Sequence, residues 1–237
     1  MLPYEKQLQY KQQEAEQNLK RIGKVDLPPI MPIIGSADTI HYRNKLEFTF
    51  SNKRFLTTDE ISDSGVVPQQ DALGYHVPRI FDKVIDIHTC YLMDEVNNSI
   101  RNTVRDFAKQ QQYTFYDIRE HSGWLRNIIL RYCSTGELMV NICLNYEEEN
   151  DRKALLDHLL KEVPSITTLL YTINPKWNDS IYDLTPQVYF GKGFVTEKLE
   201  DFEFIISPKS FFQTNTKQAE KLYTVTRDFA GLTGNEI

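Results

Sequence analysis

The chain has 237 residues, 41% of them hydrophobic and only 3 of them cysteine; this suits one large globular domain or two small ones and excludes collagen, disordered and disulfide-scaffold classes. With 33 acidic against 27 basic residues the net charge is -6, so no global positive field draws the chain to nucleic acid and any RNA contact has to be local. No apolar run approaches the roughly 20 residues of a membrane helix, the start lacks the apolar core of a secretory signal, and a reducing cytoplasm is the expected compartment.

Tyr4, Leu8, Lys11, Ala15, Leu19 and Ile22 recur at three- and four-residue steps, which predicts one long helix over 4–22 with Gly23 at its C-terminal cap. Pro28, Pro29 and Pro32 make 27–33 an extended connector and a plausible boundary. Leu46, Phe48 and Phe50 alternate with Lys45, Glu47 and Thr49, the period of a strand with one buried face, and Ser51-Asn52 is expected to turn the chain. A polar loop through Ser64-Gly65 precedes strands at 73–77 and 83–87, the second ending near Cys90. Asp94 is a cap candidate for a helix to about Gln111 that buries Val96, Ile100, Val104, Phe107 and Ala108 and carries Arg101, Arg105 and Lys109 on its polar face.

The clearest hairpin is 124–132, a tight turn at Ser134-Thr135-Gly136, and 138–144. Acidic residues from Glu147 to Asp151 suit the positive end of a helix continuing through Leu160, with Pro164 beyond it. Strands follow at 168–173, 187–190 and 202–206. Asn215 and Gln218 form a capping-box pair for a last helix with Ala219, Leu222, Val225 and Phe229 on one side and Gly231 at its end. Leu232 to Ile237 then looks like the run-in to a strand. The sum is an α+β body with a mostly antiparallel sheet.

Chemistry is sparse in the residues themselves. Gly191-Lys192-Gly193 lacks the third glycine of a phosphate loop and reads as a turn or bulge. There is no C-x-x-C and no H-E-x-x-H. Cys133 and Cys143 flank the hairpin turn, where they can face each other, and read as small apolar residues. Cys90 lies in a loop able to present a thiolate outward, although a lone cysteine is more often structural. Basic and aromatic residues cluster at Tyr42, Arg43, Lys45, Lys53 and Arg54, and again at Trp124, Arg126 and Arg131. Such groups hold phosphates and stack bases when they share a surface, and otherwise form an ordinary solvated strand face.

Three segments, taken together, in this order and with these separations, resemble a known family: His41-Tyr42-Arg43-Asn44-Lys45-Leu46-Glu47-Phe48, Val84 to Cys90, and Ile206-Ser207-Pro208-Lys209-Ser210-Phe211-Phe212-Gln213-Thr214-Asn215; Gly123 to Arg126 with Ser134 to Val140 adds a fourth match in the central hairpin. They are similar to the RNA uracil-5 methyltransferases that use S-adenosylmethionine, in particular the iron-sulfur branch acting on 23S ribosomal RNA. The resemblance implies a central fragment of such an enzyme. Residues 1–33 would be a helical piece packing on the methyltransferase domain, 34–206 the central α+β domain, and 207–237 the start of a Rossmann-like methyltransferase domain. An RNA-binding barrel and a cysteine-rich segment are expected upstream, and the glycine-rich cofactor loop, nucleophile and base downstream.

In the family a thiolate adds to C6 of the uracil, activating C5 to take the methyl group, and a general base then removes the C5 proton. None of the three cysteines sits in the nucleophile motif, so no catalytic residue is assigned. The resemblance places Gln213 against S-adenosylmethionine with Phe211 lining the same pocket, and makes Cys90 the distant fourth ligand of a 4Fe-4S cluster that the chain alone does not assemble. It assigns Arg43 and Lys45 to RNA, with Arg126 and Arg131 placed there as much by hairpin geometry. The fragment by itself is expected to be inactive and to self-associate through uncovered terminal helices. Two other readings remain open: a self-contained RNA- or protein-binding module, and the tRNA branch of the same family, which Cys90 argues against.

Overall fold

The structure is a computed structural model that describes residues 2–62, 70–231 and 233. The loop expected through Ser64-Gly65 and most of the run-in expected after Gly231 lie outside the described residues. The chain divides into two compact units, Met1–Ile40 and His41–Ile237.

In the first unit, helix α1 (Tyr4–Gln17) passes into a π-helical turn over Asn18–Ile22. The expected left-handed cap at Gly23 is not formed: Gly23 keeps right-handed helical angles, and its N–H donates to Asn18 O at 2.9 Å, the five-residue step of a π turn. The proline-rich connector is tied to α1, with Ser36 N donating to the Tyr4 hydroxyl at 2.7 Å and Gln12 Nε2 to Met31 O at 3.1 Å.

The second unit is built on a seven-stranded sheet in the order β3-β2-β1-β4-β5-β6-β7. Its strands are β1 (Lys45–Ser51), β2 (Ala72–Val77), β3 (Ile80–Asp86), β4 (Leu125–Tyr132), β5 (Leu138–Leu144), β6 (Thr168–Ile173) and β7 (Gln187–Gly191). A short helix α2 (Thr58–Ser62) follows β1, α3 (Val96–Gln110) joins β3 to β4, and α4 (Glu149–Glu162) joins β5 to β6. Every neighbouring pair is antiparallel except β5 and β6. Parallel pairing there follows from α4, because a helical crossover returns the chain to the same end of the sheet. The fold is α+β with a mostly antiparallel sheet, as expected.

Helices α3 and α4 cover one face. Leu46, Phe48 and Phe50 of β1 meet Ile128 and Leu130 of β4, Val140 and Ile142 of β5, Ile100 and Val104 of α3, and Leu156 and Leu159 of α4 in one buried cluster. Burying each such side chain contributes about 1.5–3 kcal/mol. The opposite face is also covered, and this the alternation of residues did not announce. The hairpin of β8 (Val195–Leu199) and β9 (Phe202–Ile206) packs Val195 and Ile206 against Met139 and Leu170, while Ile181 packs against Ile129 and Cys143. All of β5 and all but the last residue of β4 are therefore buried.

The last helix, α5 (Thr216–Ala230), starts and stops where its residues predict. Asn215 accepts from Gln218 N at 3.1 Å, and Gly231 closes the helix in the left-handed region at φ 60°.

Candidate functional site

Between β9 and α5 the chain crosses residues 207–215 with no regular structure, and its hydrogen bonds explain how it holds one shape. Ser207 and Ser210 form a closed turn, with Ser210 N donating to Ser207 O at 3.0 Å and the two hydroxyls 2.8 Å apart. Asn44, buried just before β1, ties the segment to the sheet: its N–H donates to Thr214 O at 2.8 Å, and its side-chain amide donates to Gln213 O and Thr216 Oγ1, both at 2.9 Å. Arg131 Nη2 donates to Ser210 O at 3.0 Å. Glu197, fully buried in β8, accepts from Ser134 N at 3.0 Å and from the Thr216 hydroxyl at 3.2 Å. The segment is thus held at both ends by buried polar groups, each of which would lose free energy if left unpaired.

This places Phe211 and Gln213 on a common cleft of about 340 Å³, whose other walls are Leu199, Phe204, Phe212, Ala219 and Tyr223. The size falls within the range of small-molecule sites. Phe204 and Phe212 pack tilted, with ring centroids 5.7 Å apart. Phe211 is 82% exposed, so most of its ring is available to a ligand. Aromatic walls with a single amide suit a flat heterocycle that takes one or two directed hydrogen bonds.

The other side of the same segment lines a second, more polar cavity of about 260 Å³, with Pro208 and Lys209 facing Lys45, Glu47, Asp179 and Tyr182. Lys209 Nζ donates to Tyr182 O at 3.1 Å and Leu184 O at 2.9 Å. Arg43, two residues before Lys45, is half-buried, its Nε donating to Lys45 O at 3.3 Å. Lys45 is therefore at a concave surface, and the two expected basic positions at the start of β1 lie together.

Arg126 and Arg131 do not. Both were expected on an RNA-facing strand surface, and both are interior, 1% and 2% exposed. The second layer on that face of the sheet turns them inward, where Arg126 binds the 174–179 loop and Arg131 binds Ser210 O. Arg101 and Arg105, expected on the polar face of α3, are likewise buried against the carbonyls that end β3. Cys133 and Cys143 do not face one another: Cys143 pairs in register with Asn127, and Cys133 N donates to Glu137 O at 2.9 Å. Burial pushes the Cys133 thiol up to about 12 and the Cys143 thiol upward as well, so both are inert at neutral pH. Asp117 shows the opposite balance. Burial alone would raise its pKa, but hydrogen bonds from Lys53 and from the N–H groups of Glu120 and Arg119 outweigh that and hold the carboxyl well below the usual range.

Comparison with known proteins gives this geometry a context. No family model matches the chain. It is 50% identical to an uncharacterized RNA methyltransferase of Bacteroides thetaiotaomicron over all of its length, 44% to one of Porphyromonas gingivalis, again over all of it, and 41% to one of Chlorobaculum tepidum over 97% of it. The chain is a relative of the RNA methyltransferases. It spans about half the length of these curated relatives: 53%, 52% and 48%. Among solved structures, the Pyrococcus abyssi tRNA (uracil-54, C5)-methyltransferase in complex with S-adenosyl-L-homocysteine shares the fold, with a TM-score of 0.67 at 23% identity over 96% of this chain and 48% of that one.

Three further observations bear on what the chain holds. No helix among the described residues is long and apolar enough to cross a membrane. Cys90 points inward rather than outward, 6% exposed, with its Sγ 3.6 Å from the Tyr75 hydroxyl and its N–H donating to Asn98 Oδ1 at 2.8 Å. The described residues contain no group of three or more His, Cys, Asp or Glu able to hold a metal. By themselves they do not supply the four ligands that a four-iron cluster takes. Two features were not legible beforehand: Asn44, whose tying role emerges only when β1 and the segment before α5 meet, and Trp177, which no motif marks.

Proposed function

We propose that this chain forms the central part of an RNA uracil-5 methyltransferase, with S-adenosylmethionine as methyl donor and a uridine of 23S ribosomal RNA as acceptor. The observation that carries the reading is the meeting of Phe211 and Gln213 on one aromatic cleft at the start of α5, in a chain related throughout its length to RNA methyltransferases. S-adenosylmethionine supplies an electrophilic methyl group on sulfur. The residues of this chain bind and orient: Phe211 and Tyr223 offer ring faces, and the Gln213 amide offers one donor and one acceptor. Asn44 and Arg131 keep that amide and ring in place through the backbone of 210–214. No catalytic nucleophile is assigned to Cys90, Cys133 or Cys143, all of which are buried.

The direct test is calorimetric titration of the full-length protein with S-adenosylhomocysteine. Gln213→Ala is expected to weaken binding about tenfold, the equivalent of one hydrogen bond of about 1.4 kcal/mol. Unchanged affinity would remove Gln213 from the cofactor site.

Arg43 and Lys45 are proposed to contact RNA phosphates at the mouth of the second cavity. Replacing both by Ala should weaken RNA binding and reduce the slope of log K against log salt by about 0.7 for each lost single-strand phosphate contact. A slope identical to that of the parent protein would take them out of the interface. In the full-length protein a cluster would need three more thiolates from outside the described residues, and Cys90 Sγ would have to leave Tyr75. Iron analysis of that protein beside its Cys90→Ala variant decides the point, since alanine offers no donor atom and equal iron in both excludes Cys90 as a ligand.

A further inference from the structure

One exposed loop of the second unit is held by more hydrogen bonds than its position would require. Arg126, buried in β4, sends its guanidinium into residues 174–179: Nη1 donates to Asn174 O at 2.7 Å and also to Lys176 O, and Nη2 donates to Asn178 O at 3.1 Å and to Asp179 Oδ1 at 2.8 Å. The same guanidinium lies 4.2 Å from the Tyr116 ring centroid. Within the loop, Asn174 Nδ2 donates to Asn178 O at 2.9 Å. The residue so presented is Trp177, 76% exposed. Its indole stacks on the His121 imidazole, with centroids 4.6 Å apart and planes 4° from parallel.

One face of the indole is therefore covered and the other is open to water. A large exposed aromatic on a pinned loop gives up apolar burial without gaining freedom, which points to a ligand for the open face. His121 is itself fixed. It sits at φ 51° in the turn closed by Asp117 N donating to Ser122 O at 2.7 Å. That turn also carries Arg119, whose guanidinium lies 5.0 Å from the centroid of the 60% exposed Phe81 ring. The surface thus presents successive flat faces at Trp177 and at the Arg119–Phe81 pair. Its cations are already matched, Lys53 with Asp117, Arg119 with Asp82 and Lys176 with Asp183. A ligand here is recognised by its flat face rather than by its charge.

We infer that Trp177, backed by His121 and held by Arg126, is a stacking platform for an unpaired nucleobase of the RNA, separate from the cleft of Phe211 and Gln213. The occupant rests on the RNA methyltransferase reading. Its position agrees with that reading, because the loop runs directly from Trp177 into the Asp179–Tyr182 stretch that lines the cavity shared with Lys45 and Lys209. The platform adds affinity for single-stranded flanking sequence and carries no reacting group.

The test uses the full-length protein, a short oligoadenylate as probe, and indole fluorescence as readout. Stacking is expected to quench the Trp177 signal. Trp177→Ala should lose about 5- to 160-fold in affinity, the range for one stacked base. Trp177→Phe should keep most of the affinity, and the loss on Trp177→Ala should stay constant as salt rises, since no phosphate contact is removed. Trp177 is largely exposed, so an unchanged thermal midpoint of the Ala variant serves as the folding control. Unchanged oligoadenylate affinity in Trp177→Ala, or no binding by the parent protein, overturns the platform, including in favour of a protein partner. Methyl transfer separates the two readings. Normal transfer with an unchanged KM for RNA in Trp177→Ala defeats the platform alone, whereas Trp177-dependent oligoadenylate binding without transfer to any RNA upholds the platform and defeats the methyltransferase assignment.

Discussion

Arg101→Met is expected to lower stability by about 3 kcal/mol, a fall of about 10 °C in the thermal midpoint for a domain of this size. Arg101 is fully buried. Its Nε donates to Ile87 O at 2.8 Å, Nη1 to Asn97 Oδ1 at 2.8 Å, and Nη2 to His88 O at 2.8 Å and Asn98 Oδ1 at 2.7 Å, while the guanidinium lies 4.7 Å from the Phe48 centroid. Methionine fills a similar volume but leaves these acceptors short of donors in a place water does not reach. Burial lowers the pKa of Arg101, so the charged form is carried at a cost that the hydrogen bonds and the ring have to offset. Arg101→Lys should recover little, because a single ammonium cannot reach the acceptors on two sides of a planar fork. Thermal denaturation followed by circular dichroism checks both variants, and a midpoint within about 2 °C of the parent would show that the loop at 87–90 is held by other contacts.

Arg126→Met should cost about 2–3 kcal/mol globally and more locally. The acceptors it abandons belong to an exposed loop that can turn them to water, which limits the global loss. Residues 174–181 are expected to lose hydrogen-exchange protection well before the sheet does, and Trp177 should lose its parallel contact with His121. Exchange measured by mass spectrometry reads this directly. If the loop keeps its protection, Asn174 and Lys209 hold it without the arginine, and preorganisation of the stacking surface would have to come from them. The measurement also separates the stacking loop from the Phe211–Gln213 cleft, since that cleft is tied through Asn44 and Arg131 and should be untouched.

Both arginines show why part of this protein was legible in its residues and part was not. The alternation at Leu46, Phe48 and Phe50, the capping pair Asn215 and Gln218, the turn at Ser134 to Gly136 and the helical repeat of α3 all depend on neighbours within one or two turns of chain, and each element stands where those residues place it. The motif from Ile206 to Asn215 likewise marked Phe211 and Gln213, which do share a cleft. A basic residue in a strand, by contrast, carries no local sign of which layer will cover it. Arg126 and Arg131 became interior because the 174–184 stretch and the β8–β9 hairpin, distant by about fifty residues and more, close over that face. Cys90 turned inward for the same kind of reason, its loop being clamped by Asn97, Asn98 and Arg101 from α3.

The amino-acid sequence by itself determined the α+β class, nearly all element positions and the kinship with RNA methyltransferases, because periodicity, caps and short motifs are written within a few residues of one another. Only the tertiary structure decided the parallel pairing of β5 with β6, the second layer over the sheet, the burial of four arginines and the exposure of Trp177. Those outcomes depend on which distant segments cover a given face, and a side chain can be assigned to solvent or to the core only once its cover is in place.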